Sequence, residues 1–380
     1  MHSFHRLACT ALVLALLAVP SLAQSFREGP PEIQSMSALA FGPDGVLFVG
    51  DAKAGAVVAL DLDDDEAATP AERFALGDIE TKIAALLGTR TSEVLIHDLA
   101  VHPVSRAIYL AVSRERAKWA SRWQLPNDLG DANVLLRVDA EGEIDAVDLS
   151  EARWASSPLP DPVDVEKTHR WKTGTPLRVD TVTDMAFAKG TLWVAGLSNE
   201  EFASTVWKVP YPFAEGITKT TVEIYHGAHG EWETHAPIRA FVPYDFEGKE
   251  HLLAAYLCTP LVTFESSDLA KGGHVKGRTV AEFGSGNYPL DMVVYQKDGK
   301  DRLLIANSSL PFMVVDPADI ASFEGSITTE VEGYTAGVPY EIRSPTGILQ
   351  MDLLDEQRLV ALQRSPSGTL ELVSMRLARF

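Results

Sequence analysis

Cysteine is nearly absent: the 380-residue chain has two, Cys9 and Cys258. Cys9 lies inside "LACTALVLALLAV", an apolar run preceded by the basic "MHSFHR" and followed by the small-residue "SLA". That order reads as a secretory signal and predicts removal of residues 1–23 and a secreted or periplasmic product. The run from Leu7 to Val19 is too short to cross a bilayer as an ordinary helix. No second run of spanning length follows, so no transmembrane anchor is expected. Cys258 then stands alone, which excludes an intrachain disulfide. A lone thiol in an oxidising compartment needs another reason: a small buried apolar side chain, or a ligand.

Positive charge is short as well. Without Arg6, 32 basic residues face 53 acidic ones, a formal charge of −21 on about 357 residues. Such a surface repels phosphates, so neither nucleic acid nor an anionic membrane is an expected partner. No G-x-S-x-G elbow and no G-x4-G-K-[ST] loop occurs, which removes two common catalytic frameworks. "DLDDDE", residues 61–66, lacks the glycine and terminal glutamate of an EF-hand loop and reads as a solvated turn.

What is present is a repeat. In "MSALAFGPDGVLFVGDAKAGAVVALDL", residues 36–62, an apolar strand meets a Gly-Pro-Asp-Gly turn, then a second strand, a polar loop and a third strand. Similar units begin near residues 96, 182, 236, 288 and 344, at spacings of roughly 52 to 60 with one interval of about 86. Short antiparallel strands at such a period favour a propeller. The prediction is all-β: a six-bladed β-propeller of four-stranded antiparallel blades, in one domain over 24–380. Seven blades follow instead if residues 150–181 form a degenerate blade. Each unit ends in a weaker outer strand such as "AERFAL" or "RTVAEF". The last unit has none, and "SFREGPPEIQ" is expected to fill that gap and close the ring.

"ALAFGPDGVLFVGD" resembles the inner hairpin of NHL-repeat and SMP-30/gluconolactonase-like propellers, and the resemblance recurs over most of the chain. It implies the fold more than a function. Metal-binding SMP-30 members carry an asparagine just before the inner strand's apolar run. The matching places here hold Ser37, Asp98, Asp184, Arg239, Asp291 and Gly347, so that metal pattern does not carry over.

Scaffold turns stay short, so long insertions mark the working face. Three stand out, at 77–95, 114–133 and 150–181, and strand counting places them on one face with "HGAHGEWETH", residues 226–235. Five of the seven tryptophans fall in these loops: Trp119, Trp123, Trp154, Trp171 and Trp232. They either pin the loops or wall a pocket.

The candidate residues follow from that face. His229, His235 and Cys258 are the candidate metal ligands, since imidazole and thiolate suit zinc or copper. Of the three histidines in the stretch, His226 is placed farthest out, after an outer strand. His97, Arg239 and Tyr288 are the candidate catalytic groups, for proton transfer and for orienting an anion. Asp98, Asp184, Asp291, Asn199, Asn307, Trp119 and Trp123 are the candidate ligand-binding set. The three aspartates repeat at one blade position, which also fits carboxylates capping backbone N–H groups.

Three functions fit. One is an extracytoplasmic propeller that binds a small ligand or transition metal in a pocket at the loop-rich axial face, a metal-assisted enzyme being one form of it. A second is a lyase or hydrolase acting on an acidic saccharide. The third is a non-catalytic interaction scaffold. Whether the chain is an enzyme, and its oligomeric state, are open at this level.

Overall fold

The computed structural model describes residues 26–69, 73–114, 133–169, 176–213 and 216–380. Its strands form six small sheets arranged as a six-bladed propeller. The inner strands are Leu39–Phe41, Val94–Val101, Asp184–Ala188, Ala240–Phe246, Pro289–Lys297 and Ile348–Leu353. They define blades 1 to 6 in chain order. Second and third strands pair antiparallel in each blade, the connection between them in blade 2 lying at 115–132, outside the described residues.

The outer strands depart from the simple repeat. Blade 1 is completed by Arg153–Pro158, which pairs with Ala56–Asp61 from a place about 90 residues farther along the chain. Ala75–Leu76, expected to complete blade 1, instead pairs with Leu370–Arg376 and completes blade 6. The segment after the signal does not close the ring either: Arg27–Glu28 lies on the far edge of blade 1, against Arg153–Pro158. Residues 150–181 are therefore neither a seventh blade nor one loop, because their first part is an outer strand.

This exchange of strands permutes the ring. Inner strands touch in the order 1, 2, 6, 5, 4, 3 and back to 1. Six separate apolar cores confirm it, each shared by one pair of neighbours. Blade 1 packs Phe48 and Val57 against Val194 and Trp207 of blade 3, and packs Leu47 and Leu60 against Tyr109 and Leu135 of blade 2. Helix Ile79–Leu87 seals blade 2 to blade 6, with Ile79 and Ile83 among Leu136, Leu362 and Leu372. "DLDDDE" is not merely solvated: Asp64 accepts from Ser105, Tyr109 and Arg137, clamping the end of blade 1 to blade 2.

Inner strands face the axis with one unpaired edge, whose N–H groups need acceptors. Four aspartates supply them. Asp98 accepts from its own neighbour Leu99 at 2.8 Å and from Leu39 of blade 1 at 2.7 Å. Asp352 does the same for Leu353 and Val101, Asp291 for Met292 and Met351, and Asp184 for Met185 and Phe241. Each carboxylate staples its own blade to the one before it in the observed ring order. Blade 6 supplies Asp352, not the Gly347 position that the repeat aligns.

Each of the four keeps partial exposure along the axis, with protein packed around the rest. Burial pushes Asp98 up to about 7 and Asp352 up to about 6. It also raises Asp184 and Asp291 well above the carboxylate range, with the charge of Asp98 adding to the effect. A carboxyl with a raised folded pKa holds its proton more tightly in the native state. Its stabilisation is present below ~4 and lost as pH rises through the folded value. The thermal midpoint is therefore expected to climb as pH falls from about 8 to about 5. Below ~4 the trend reverses. There Asp64 and Asp180, held low despite their burial by hydrogen bonds from Arg137 and from His169 with Arg239, lose their stabilisation. Differential scanning fluorimetry across this range checks the sign, and a midpoint that rises from pH 5 to 8 would contradict it.

Candidate functional site

"HGAHGEWETH" is a hairpin on the outer strand of blade 3. Thr218–His226 runs up the blade edge, the chain turns, and Glu231–Glu233 returns antiparallel, with His226 opposite Glu231 and Ile224 opposite Glu233. The turn is held by amides of His229 and Gly230 donating to the His226 carbonyl. It brings both histidines onto one carboxylate. His226 Nδ1 lies 2.9 Å and His229 Nδ1 2.5 Å from Glu233 Oε1. Their rings lie close, centroids 3.8 Å apart and planes tilted by 35°.

That geometry sets the tautomer. An ionised carboxylate only accepts, so each Nδ1 carries a proton, and it is the neutral form of each ring that presents a lone pair at Nε2. Burial raises the Glu233 carboxyl, but the hydrogen bonds from His226 and His229 outweigh it and leave the group below the ordinary range. His226 is 1% exposed, and its Nε2 has no hydrogen-bond partner among the described residues. A buried acceptor without a partner costs about 1–3 kcal/mol and calls for an explanation.

Cys258 provides one. It sits in the hairpin between the second and third strands of blade 4, after Lys249–Ala255 and before Pro260–Glu265. One donor atom each from His226, His229 and Cys258 lies within 4.8 Å of the others. Cys258 and Thr259 both take left-handed backbone, with φ of 62° and 65°. Neither is glycine, so the turn is strained. Thr259 Oγ1 braces it by donating to the carbonyls of Cys258 and Gly284.

A second carboxylate lies beside the hairpin. Glu282 ends the outer strand of blade 4, is 1% exposed, and accepts from the Gly227 amide at 2.6 Å. Glycine at 227 is needed, because a Cβ there would meet Val331 at 2.7 Å and Glu282 Oε1 at 3.1 Å. Burial raises the Glu282 carboxyl, with His226 and the amides of Gly227 and Ala228 pulling the other way without cancelling it. Its Oε2 is buried and has no partner among the described residues. Exposed Trp232, Leu257 and Tyr334 stand near by in the chain or against it: Trp232 in the hairpin, Leu257 beside Cys258, Tyr334 against Gly284.

The trio lies between blades 3 and 4, off the propeller axis. His226 belongs to it and His235 does not, which corrects the expected ligand set. His235 is exposed and its Nδ1 contacts Thr234 Oγ1 at 2.8 Å. Proximity of residue 235 to the inner strand suggested the axis, but the hairpin carries 226 and 229 inward to Cys258 instead.

The other candidates are dispersed. His97 is the bulge residue of the blade 2 inner strand, with Nε2 2.5 Å from Ser113 Oγ. Arg239 pairs with buried Asp180 at 3.1 Å, and the same carboxylate meets His169 Nε2 at 3.1 Å. Tyr288 is 43% exposed at the start of blade 5. Asp98, Asp184 and Asp291 have both oxygens engaged by backbone amides. Asn307 is buried, accepting from Asn287 and donating to the carbonyls of Ile305 and Pro311. Asn199 is exposed, its amide bonded to the Asp161 carbonyl. Trp119 and Trp123 lie outside the described residues. Sequence reading missed Glu233, Glu282 and His169. Only Glu233 had a local signal, four residues after His229.

No protein-family model and no curated protein matches the chain. Solved structures that align along its length include a putative oxidoreductase (glucose dehydrogenase) from Thermus thermophilus, at 11% identity and TM-score 0.35, covering 92% of this chain and 99% of that one. Another is the PQQ-bound aldose sugar dehydrogenase of Streptomyces coelicolor, at 10% identity and TM-score 0.35, covering 93% and 97%. A mitotic checkpoint complex chain aligns at 9% identity and TM-score 0.32, covering 97% and 99%. Likenesses this low bear on none of the site residues.

Proposed function

We propose that the chain is an extracytoplasmic propeller that binds one transition-metal ion through His226, His229 and Cys258. One observation carries the reading: one donor atom each from His226, His229 and Cys258 lies within 4.8 Å of the others, beside a buried His226 Nε2 without a partner among the described residues and a Glu233 carboxylate that engages both Nδ1 atoms. A carboxylate on the far nitrogen of a metal-bound histidine is the usual outer support of such centres. Two imidazoles and a thiolate suit zinc or copper. A thiol nucleophile with one histidine base would need a single ring aimed at sulfur, whereas here two rings share one carboxylate beside the thiol. The leader-like residues 1–23 support export, and a bound metal would explain a lone thiol kept in an oxidising compartment.

The test is metal content of protein purified without a His-tag, by mass spectrometry after exposure to zinc or copper. About one ion per chain is expected in the wild type and in His235→Ala, and less than about a tenth of that in His226→Ala and Cys258→Ser. Full occupancy in the last two variants would end the proposal. The saccharide reading draws on Trp119, Trp123 and Tyr288, and a screen against uronate polymers tests it separately.

A further inference from the structure

Two buried atoms at this site lack hydrogen-bond partners among the described residues: His226 Nε2 and Glu282 Oε2. Both carry lone pairs, and neither can satisfy the other without a proton or cation between them. They belong to one small assembly, since Glu282 Oε1 holds the amide of Gly227, the residue next to His226. We propose that Glu282 is the fourth protein ligand, making a closed four-donor site rather than one with a position open to water or substrate. The inference rests on the metal-binding reading above.

Glu282 stands outside the trio whose donors lie within 4.8 Å of one another. Its ligation therefore requires the carboxylate to swing inward on loading, with the amide bond to Oε1 as the pivot. Desolvation favours that movement. A buried carboxylate left beside a three-donor centre would stay desolvated and unneutralised. On binding, Cys258 releases its thiol proton to solvent and no other bond is made or broken outside the coordination sphere. Four protein donors at a tetrahedral ion describe a structural or electron-transfer centre, while three leave the open position that hydrolysis needs.

Cobalt(II) reads the difference, because its visible absorption reports both thiolate ligation and coordination number. The metal-free, tag-free wild type should give a thiolate-to-cobalt band with four-coordinate intensity, unchanged by excess azide. Glu282→Gln keeps an acceptor for the Gly227 amide but is a poor ligand. It should lower cobalt affinity more than about 100-fold, beyond the range of an outer-shell change, and its spectrum should now respond to azide. Glu330→Gln, a carboxylate against Gly230 outside the trio, should match the wild type. A wild-type spectrum that shifts with azide, or a Glu282→Gln variant equal to wild type in affinity and spectrum, would overturn the fourth ligand and leave the three-donor centre standing. Absence of any thiolate-to-cobalt band in the wild type would overturn the centre itself, and this inference with it.

Discussion

Cys258→Gly is expected to abolish metal binding, by more than about 10³-fold in affinity, while raising the thermal midpoint of the metal-free protein. The two effects have one cause. A left-handed non-glycine residue costs roughly 1–2 kcal/mol, and Cys258 at φ 62° is followed by Thr259 at φ 65°. Glycine removes the steric part of that cost at 258. It returns some of the gain through the larger entropy of the unfolded chain, leaving about 0.5–1 kcal/mol. For a chain of this size that is a rise of about 1–2 °C. Cys258→Ser keeps the side-chain clash and loses the thiolate, so it should lose metal without gaining stability. Thermal melts of both variants after chelation, set beside their metal content, make the comparison. If the glycine variant melts with or below the serine variant, the turn is not strained in the way its backbone suggests. Strain held at a ligand position is the pattern of a site selected for geometry over stability.

Trp154→Ala should cost about 3–5 kcal/mol, the range for truncating a large buried aromatic. Trp154 is 4% exposed on the strand Arg153–Pro158, packed with Leu47, Leu60 and Tyr109, and Arg27 lies over its ring at 3.7 Å. Chain position alone would make it one of several loop tryptophans pinning an insertion, with a small effect. As part of blade 1's outer strand it instead seals the boundary between blades 1 and 2. Losing it should expose the edge of Ala56–Asp61, so proteolysis in blade 1 should accelerate along with the fall in the denaturant midpoint. A loss under about 1 kcal/mol would argue that Arg153–Pro158 contributes little to the blade.

The histidines show how far local pattern reaches. "HGAHGEWETH" reads from the sequence as a polar crossing loop into blade 4, whereas the structure makes most of it a hairpin on the outer strand of blade 3, with His226 and His229 near Cys258. Which of its histidines meet the thiol was not legible, because that depends on the hairpin between Thr218–His226 and Glu231–Glu233 and on how blade 3 leans on blade 4. Position 226 looks remote when the chain is counted along the strands, yet the hydrogen bonds that it and His229 make to Glu233 hold it beside Cys258. Glu282 had no sequence signal at all. It arrives from the last strand of the next blade, 55 residues on.

The sequence by itself determined the six blades and their inner hairpins. Alternation of apolar residues with period two and glycine- or aspartate-bearing turns are local properties, and they suffice to specify hairpins. The repeated aspartates were equally visible, and their place before each inner strand already suggested a backbone-capping role. Tertiary structure alone decided the ring order 1, 2, 6, 5, 4, 3 and the exchange that sends Ala75–Leu76 to blade 6 and Arg153–Pro158 to blade 1. An outer strand is joined to its sheet by backbone hydrogen bonds, and these carry almost no side-chain information about which edge is chosen. The same reason separates His235 from His226: the choice between them is made by the distance between two blades, which no stretch of either blade encodes.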